Sequence, residues 1–503
     1  MAESCGGPPY NSGCITVNFL SSAVQTALIG SASVPASDGR FFTVFNPSSD
    51  QVIAQVADCG ATEAESALHA ASVAFDGWSM RTAADRATLL MQWHGLLEMH
   101  AEAIAQLITA ELGKTLKDSR SEVNYGNAYI KWFAEEARRS YGAIIPSPVK
   151  GRELKVVHEP VGVVAVITPW NFPFAMLARK IAPALAAGCT VVARPAEDTP
   201  LTGLLMIRLA LDAGIPPGVI NMVPSSREMV TELTDVWMQS EKVRKISFTG
   251  STPVGKGIAQ RAAATLKRLS LELGGNAPFI VFDDADIDLA VKGAVAAKFR
   301  NSGQTCVSPN RFFVHAACHE AFVSKLVSAV KLLQIGDPSS GNTDIGPLVN
   351  LSGIQKVKRH VSNAVEHGAS ILVGGLSLPE IGTNYFQPTV LDGVNESMAI
   401  FQEETFGPVI GLMKFTDETQ MLDIANRSSA GLAAYFYSQN SSRIARVSKA
   451  LKVGMIGINE SLISTEVAPF GGIKDSGYGR EGSYLGLQDY LETKYMCVGG
   501  LDL

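Results

Sequence analysis

The run Val161-Gly-Val-Val-Ala-Val-Ile-Thr168 decides the fold, because it is short, continuously apolar and followed by a polar loop. Such a run is typical of a strand that is buried on both faces of a parallel sheet. Three similar runs follow, and helix-length segments separate them, which predicts an α/β fold with a doubly wound parallel sheet. The other runs are Thr190-Val-Val-Ala193, Val219-Ile-Asn-Met-Val223 and Lys245-Ile-Ser-Phe-Thr249, and the predicted helices cover residues 174–187, 199–213, 227–238 and 253–266.

A second α/β series begins near residue 286 and predicts a further domain. Its strands are expected near residues 311–315, 370–374 and 431–437, and its helices near residues 317–334, 351–367 and 441–451. The predicted organisation is a flexible leader at residues 1–35, a first domain from residues 36–144 and 160–273, a second domain from residues 274–484, and a small β excursion for subunit contact from residues 145–159 and 485–503.

Composition excludes several classes of protein. The 503 residues are 46% hydrophobic and 18% charged, which is typical of an ordinary globular protein. A net charge of −6 without any basic block argues against a nucleic-acid partner, and no apolar run is long enough to cross a membrane. The first basic residue is Arg40, so we expect no targeting signal and a cytoplasmic protein. The seven cysteines and eight histidines show no metal-ligand spacing, so we predict no metal.

A single thiol ends the polar stretch Arg300-Asn-Ser-Gly-Gln-Thr-Cys306. A structural cysteine would normally lie among hydrophobic residues, and that role is the alternative for Cys306. Earlier in the chain, Glu272 lies in Leu271-Glu-Leu-Gly-Gly275, a carboxylate on an apolar strand before a tight turn. A thiol nucleophile and a separate carboxylate base are the two groups needed to form a thioester and then hydrolyse it.

The loop Thr168-Pro-Trp-Asn-Phe-Pro173 follows the first predicted strand, at the end where open α/β sheets place ligands. Two prolines and two aromatic residues stiffen this loop, so Asn171 could be a rigid amide donor for an oxyanion. A loop asparagine that simply makes a turn is the alternative.

A candidate phosphate loop, Phe248-Thr-Gly-Ser-Thr-Pro-Val-Gly255, joins a predicted strand to a helix. Gly250 permits a tight turn, Ser251 offers a hydroxyl, and Pro253 suits the first helical position. Backbone N–H groups at a helix start bind anions, although a plain strand-to-helix turn would have the same pattern. The segment does not match the GxGxxG fingerprint.

Glu197 follows the second predicted strand, close to where such a sheet meets the ribose of a dinucleotide. An acidic side chain there favours a free 2′-hydroxyl over a phosphate. The alternative is a helix start capped by Asp198 or Thr199, with Glu197 in its solvated first turn.

Two arginines, Arg179 and Arg300, lie nearest in sequence to the predicted chemistry. An arginine in a pocket forms a bidentate clamp for a carboxylate. Ordinary surface charge is the alternative for each of them.

These motifs together resemble the aldehyde dehydrogenase superfamily and, within it, the succinate-semialdehyde dehydrogenase branch. The resemblance extends from about residue 38 to the last residue of the chain. It implies a Rossmann-like doubly wound cofactor domain, a second α/β catalytic domain and a small β oligomerisation excursion. The matching motifs occur in the family's order at residues 168–173, 194–200, 248–255, 272–275, 303–306, 403–408 and 469–472.

The resemblance implies a role for each matching residue. Cys306 would be the nucleophile, Glu272 the base for the deacylating water, and Asn171 would form an oxyanion hole with the backbone N–H of Cys306. Ser251 would contact the pyrophosphate, and Glu197 the adenosine ribose. The residues implied to bind the distal carboxylate of the substrate are Arg179, Arg300 and Ser464, and those implied to bind NAD, with NADP also possible, are Thr168, Pro169, Trp170, Arg194, Glu197, Gly250, Ser251, Glu404 and Phe406.

Two positions depart from the pattern that the resemblance implies. Arg194 stands where the family usually has lysine, and its guanidinium could bind a 2′-phosphate, whereas Glu197 favours NAD. Ser308 stands where some members of the branch carry a second cysteine, so we expect no disulfide switch.

The implied activity is NAD(P)-dependent oxidation of succinic semialdehyde to succinate, through a thiohemiacetal and a thioester, by a homodimer or homotetramer. The alternative is the same mechanism on a different aldehyde, uncharged or specific to another pathway. A CoA-acylating variant is disfavoured because the hydrolytic base Glu272 would act against it. A catalytically silent protein on the same scaffold is disfavoured because Cys306, Glu272 and Asn171 are all retained.

Overall fold

A computed structural model describes residues 24–501, which form α/β layers around two large sheets. The strands in chain order are β1 (Val24–Gln25), β2 (Ala27–Ile29), β3 (Ala32–Val34), β4 (Phe41–Phe45), β5 (Val52–Ala57), β6 (Ala143–Ile145), β7 (Glu153–Pro160), β8 (Val163–Ile167), β9 (Thr190–Arg194), β10 (Ile220–Met222), β11 (Val243–Thr249), β12 (Arg268–Glu272), β13 (Ala277–Val281), β14 (Pro309–His315), β15 (Ser370–Val373), β16 (Thr389–Asp392), β17 (Val409–Phe415), β18 (Ala430–Gly431), β19 (Ala433–Tyr437), β20 (Met455–Ile458), β21 (Ile473–Lys474), β22 (Gly477–Tyr478) and β23 (Leu491–Val498).

The helices lie on both faces of the sheets and join their strands. In chain order they are α1 (Ala61–Ser79), α2 (Ala83–Met99), α3 (Ala101–Leu112), α4 (Leu116–Glu136), α5 (Ala175–Ala187), α6 (Pro200–Asp212), α7 (Val230–Gln239), α8 (Thr252–Ala262), α9 (Ile287–Phe299), α10 (His319–Lys331), α11 (Leu351–Glu366), α12 (Ala399–Gln402), α13 (Glu418–Asn426), α14 (Ser441–Ala450) and α15 (Ser483–Gln488). Short 3-10 turns occur at Ala137–Arg139, Ala263–Thr265 and Arg300–Gly303. No helix among the described residues is long and apolar enough to span a bilayer.

The first large sheet confirms the predicted doubly wound arrangement. Its strand order is β22-β12-β11-β8-β9-β10-β2-β3, and the five strands from β12 to β10 run parallel. All five residues of β8 are buried, as its continuous apolar run predicts. The chain proceeds from β8 toward β10 on one side and then returns to β11 on the other. The carboxyl ends of β8 and β11 therefore flank the topological switch point, where such sheets bind ligands.

The second large sheet has the order β15-β16-β17-β14-β13-β19-β20, and all its neighbouring strands are parallel except β15 and β16. The sequence pattern predicted β14, β15 and β19 but missed β13, β16, β17 and β20. The missed strands are short or contain a proline or glycine, which weakens the strand signal. Residues 273–276 connect β12 of the first sheet directly to β13 of the second.

The described part of the predicted leader is structured, which corrects that expectation for residues 24–35. Strand β1 pairs with β5, and β2 pairs with β10 at the edge of the first large sheet. Ala27, Leu28 and Ile29 are buried there, so this stretch gains both hydrogen bonds and apolar burial. Residues 1–23, the remainder of the predicted leader, lie outside the described residues.

The predicted β excursion takes the form of a three-stranded antiparallel sheet in the order β23-β7-β6. Strand β23 pairs with β7 from Leu491, opposite Pro160, to Val498, opposite Glu153. Seven of the eight residues of β23 and all three residues of β6 are exposed, so this sheet stands outside the two main cores.

Candidate active site

The candidate site lies where the two large sheets meet. Strand β8 leads into the loop that carries Asn171, and β11 leads into Gly250 and Ser251 at the start of α8. Strand β12 ends at Glu272, and Cys306 lies three residues before the start of β14. A Cβ atom added to Gly275 would lie 2.4 Å from the carbonyl oxygen of Cys306, so the connection between the sheets contacts the thiol loop directly.

The loop before Cys306 has an unusual backbone. Asn301, Ser302 and Gly303 have φ values of 51°, 54° and 79°, so three successive residues are left-handed. For the two non-glycine residues this costs roughly 1–3 kcal/mol each and requires support from their surroundings. The backbone N–H of Asn301 donates to Asp118 Oδ2 at 2.8 Å, and Ser302 Oγ donates to the carbonyl of Gly346 at 2.9 Å. The loop that presents the thiol is therefore held in one strained conformation.

Four charged residues from separate motifs surround the predicted nucleophile. Desolvation by the surrounding protein raises the pKa of Cys306 to about 12. The positive charge of Arg179 lowers this pKa, Glu404 and Glu272 raise it, and Arg300 lowers it. The structure thus brings both arginines and both carboxylates into the electrostatic environment of one thiol.

The raised pKa makes the reactivity of Cys306 strongly dependent on pH. Only the thiolate is alkylated, so in the free protein the rate of labelling by iodoacetamide is expected to rise about tenfold per pH unit from about pH 7 to about pH 10. The measurement is quantification of the Cys306-containing peptide by mass spectrometry, with the exposed Cys497 as an internal reference. A rate that levels off near neutral pH would contradict the desolvated environment.

Asn171 is buried and anchored to the thiol loop. Its side-chain Nδ2 donates to the carbonyl of Gln304 at 3.1 Å. Its own backbone carbonyl accepts from Lys114 Nζ at 2.9 Å and from Asn301 Nδ2 at 3.1 Å. The amide predicted to bind an oxyanion therefore contacts the thiol loop at Gln304, which is two residues before Cys306.

Glu272 is 3% exposed, and neither of its carboxylate oxygens has a hydrogen-bond partner among residues 24–501. A Cβ atom added to Gly471 would lie 2.8 Å from Glu272 Oε1 and 2.8 Å from the carbonyl oxygen of Gly479, so the backbone at Gly471 passes close to the carboxylate. Burial, together with the charge of Glu481, raises the pKa of Glu272 well above its ordinary value, and Arg179 and Lys180 oppose this shift. Such a carboxylate is a strong base when it is ionised.

Arg179 lies on α5 and is 1% exposed. Its guanidinium forms an ion pair with Glu481 and lies 3.9 Å from the ring centroid of Phe470. The same guanidinium reaches the hydroxyl of Tyr125 at 3.5 Å. Arg179 is therefore a buried, paired charge and not a surface residue.

Arg300 is half-buried, with its guanidinium 5.4 Å from the ring centroid of Phe172. Ser464 is also half-buried, in the loop that precedes Phe470. The neighbouring carbonyl of Thr465 accepts from Tyr129 at 3.1 Å. The serine loop thus contacts the same helix, α4, that carries Tyr125, the partner of Arg179.

The predicted ribose end of the cofactor site contains a paired arginine. Arg194 Nη2 donates to Glu197 Oε2 at 2.6 Å and to the carbonyl of Ser225 at 2.9 Å. The side chain of Arg194 is 7% exposed, whereas that of Glu197 is 29% exposed. The carboxylate is therefore more accessible than the guanidinium, which fits a ribose hydroxyl better than a phosphate.

The pyrophosphate end has the form that the loop sequence predicts. Gly250 follows β11, Ser251 is the exposed N-cap of α8, and a proline lies in the first turn of this helix. Free N–H groups at such a helix start attract anions. These features fit a dinucleotide, as does the partly exposed Glu197.

The predicted nicotinamide end joins the two sheets. The rings of Trp170 and Phe406 meet edge to face, with centroids 5.5 Å apart, beside the buried Thr168 and the half-buried Pro169. The carboxylate of Glu404 accepts from the backbone N–H of Gly275 at 3.2 Å, and burial raises the pKa of Glu404 to about 7.

Several residues at the site were missed from the sequence. Lys114 and Glu122 contact the Asn171 segment, and Lys180 and Glu481 extend the charge cluster around Arg179. These residues belong to no spacing motif, and most of their contacts are with residues distant in sequence. The only signal was a charged residue beside a glycine, as in Gly113-Lys114, which is too common to identify a site.

A thiol and a buried carboxylate that share one electrostatic environment, beside a doubly wound sheet, fit a dinucleotide-dependent oxidoreductase. The chain belongs to the aldehyde dehydrogenase family, whose model matches residues 34–496. It is 48% identical to the 3-sulfolactaldehyde dehydrogenase of Pseudomonas putida, over 95% of this chain and 98% of that protein. It is 49% identical to a probable succinate-semialdehyde dehydrogenase [NADP(+)] of Sinorhizobium fredii, over 92% of this chain and 93% of that protein. The crystal structure of succinate-semialdehyde dehydrogenase from Burkholderia pseudomallei is similar with a TM-score of 0.93 and 46% identity, covering 96% of this chain and 98% of that one.

Proposed function

We propose that this aldehyde dehydrogenase oxidises succinic semialdehyde to succinate with NAD or NADP. The observation that carries the proposal is the pair of arginines, Arg179 and Arg300, whose charges both act on the Cys306 thiol. A carboxylate at the far end of a substrate would be attracted to these guanidinium groups. Ser464, in the loop close to α4, would donate a further hydrogen bond to that carboxylate.

The first chemical step is attack by the Cys306 thiolate on the aldehyde carbon, which forms a thiohemiacetal. The oxygen of the former carbonyl becomes an oxyanion. The amide of Asn171 and the backbone N–H of Cys306 stabilise this charge, which forms mainly in the transition state.

A bound nicotinamide group would supply the hydride acceptor needed to oxidise the thiohemiacetal to a thioester. Ser251 and the N–H groups of α8 would hold the pyrophosphate, and Glu197 would bind the adenosine ribose. Trp170, Glu404 and Phe406 shape the nicotinamide end. Thr168, Pro169, Arg194 and Gly250 complete the cofactor site. The pairing of Arg194 with Glu197 supports NAD, and the NADP-dependent relative supports NADP as the alternative.

The last step is hydrolysis of the thioester. Glu272, as carboxylate, removes a proton from a water molecule, which attacks the thioester carbon. The acid leaves and Cys306 is regenerated as thiol or thiolate. The buried and unpartnered state of Glu272 supports this role, because a carboxylate without hydrogen bonds remains available to a water molecule.

A second candidate substrate is 3-sulfolactaldehyde, since one relative is named for it. A sulfonate carries the same negative charge as a carboxylate, so paired arginines suit both. An uncharged aldehyde is a weaker candidate, because it would gain nothing from the positive charges of Arg179 and Arg300.

The test is a comparison of initial rates for succinic semialdehyde, 3-sulfolactaldehyde and butanal, each with NAD and with NADP. We expect kcat/KM to favour an anionic aldehyde over butanal by at least about tenfold, equivalent to about 1.4 kcal/mol. R300Q should lower kcat/KM for the anionic aldehyde by about 10- to 100-fold and leave butanal within about threefold, because a hydrogen bond to a charged group contributes about 1.5–3 kcal/mol. The exposed variant R427Q is the control. Equal rates on butanal would remove the anion preference and leave the family chemistry intact.

We propose that the β23-β7-β6 sheet joins subunits in a homodimer or homotetramer. Strand β23 is an edge strand with one unpaired side, and Tyr495 and Val498 on it are exposed. An exposed edge with apolar side chains favours pairing with another chain.

A further inference from the structure

Lys114 is a charged residue in the core that the proposed chemistry does not use. It follows Gly113, whose φ of 77° ends α3, and its side chain is completely buried. Burial lowers the pKa of Lys114, and the charge of Glu122 opposes this shift. A buried ammonium group costs several kcal/mol unless its surroundings compensate it, so its contacts define its role.

The Lys114 ammonium group contacts residues 171–175 directly and, through Glu122, indirectly. It forms a buried ion pair with Glu122, donates to the carbonyl of Asn171 at 2.9 Å, and lies 3.7 Å from the ring centroid of Phe172. The other carboxylate oxygen of Glu122 accepts from the N–H groups of Phe174 at 2.9 Å and Ala175 at 3.2 Å. The ion pair therefore holds both ends of residues 171–175.

The carbonyl of Asn171 has a second donor, Asn301 Nδ2, at 3.1 Å. Two donors on one carbonyl fix the plane of the peptide group, and the side chain of Asn171 is anchored to Gln304 in the thiol loop. We propose that Lys114, held by Glu122, is a positioning residue that keeps the Asn171 amide directed at the oxyanion formed on Cys306. This inference rests on the proposed function, in which Asn171 is the oxyanion donor.

A merely structural role and a positioning role predict different results. A lysine that only fills the core would change stability, and its effect on rate would be independent of Asn171. A lysine that acts through Asn171 would lose its effect on rate once that amide is absent. A double-mutant cycle separates these two cases.

The experiment measures the burst rate of reduced coenzyme with succinic semialdehyde in full-length protein. The K114M/E122Q variant removes both charges together, so no unpaired charge remains buried, and K117M changes an exposed lysine nearby as the control. N171A alone is expected to lower the burst rate by about 10²–10³-fold, the scale of one oxyanion donor. K114M/E122Q should lower it by about 10- to 100-fold with KM changed by less than about threefold, since small displacements of a catalytic group have effects of this size. In the N171A background, K114M/E122Q should lower the burst rate by less than about threefold.

An equal loss in both backgrounds would overturn the inference, as would a full burst rate in K114M/E122Q. If N171A itself keeps the wild-type rate, the oxyanion role in the proposed function fails and the inference fails with it. If N171A is slow but K114M/E122Q is not, only the inference fails. Should K114M/E122Q not fold, the same cycle with K114R applies: a displaced donor should slow the burst when Asn171 is present and have no effect when it is absent.

Discussion

Replacement of Cys306 by alanine is expected to lower dehydrogenase turnover by at least about 10⁴-fold, the scale seen when a covalent nucleophile is removed. Without the thiol no thiohemiacetal forms, and the two carboxylates near it, Glu272 and Glu404, are assigned to other steps. The measurement is reduced coenzyme formed per enzyme over long incubation. A protein mass increase that matches an acyl adduct should be seen in wild type after acid quench and be absent from C306A.

Two matched variants serve as controls for this result. C306S keeps the geometry but replaces the sulfur by a poorer nucleophile, so it should also be nearly inactive. C497A changes an exposed cysteine on β23 and should keep full activity. Residual C306A turnover above about 1% of wild type would show that another group is the nucleophile, because a covalent route cannot tolerate its loss at that level.

Replacement of Glu272 by glutamine is expected to separate the two halves of the reaction. Hydride transfer should persist as a burst of reduced coenzyme, while steady-state turnover falls by about 10²–10⁴-fold, the usual contribution of a general base. Rapid mixing that resolves the burst from the steady state is the measurement. A variant with no burst would contradict the assignment of Glu272 to deacylation, and E228Q, at an exposed position, is the control.

The raised pKa of Glu272 adds a pH signature to this prediction. The carboxylate forms only as pH rises through that raised pKa, so wild-type deacylation should accelerate with pH, whereas E272Q should not show this rise. For stability the sign is opposite: a folded-state pKa above the unfolded value stabilises the protein at low pH, and this stabilisation is lost as pH rises. E272Q should therefore be at least as stable as wild type at neutral pH.

The fold was largely predictable from sequence because its central strands have an unambiguous signal. The run that became β8 is apolar throughout, and those that became β9 to β11 contain stretches rich in β-branched and apolar residues, which is typical of parallel strands buried on both faces. Strand β13 begins Ala277-Pro278 and β17 contains Gly411, so their signals were weaker. The strands β1 to β3 were missed because they are two or three residues long and gain their stability from pairing with distant strands.

The candidate site was predictable where short motifs carry the chemistry, as for Cys306, Glu272 and Asn171. The environment of these residues was not predictable from the sequence. The ion pair between Arg179 and Glu481 joins residues that are far apart in sequence, and no local sequence pattern predicts it. The contact of Lys114 with the carbonyl of Asn171 is likewise a product of tertiary packing.

The position of β22 and of the segment before it, beside β12 of the first large sheet, has a consequence for biosynthesis. Strand β22 covers the free edge of β12, Gly471 lies against Glu272, and Glu481 neutralises Arg179. A nascent chain thus exposes its thiol loop well before residues 470–481 are synthesised. Contacts of such long sequence separation form slowly, so the candidate site is completed late in folding.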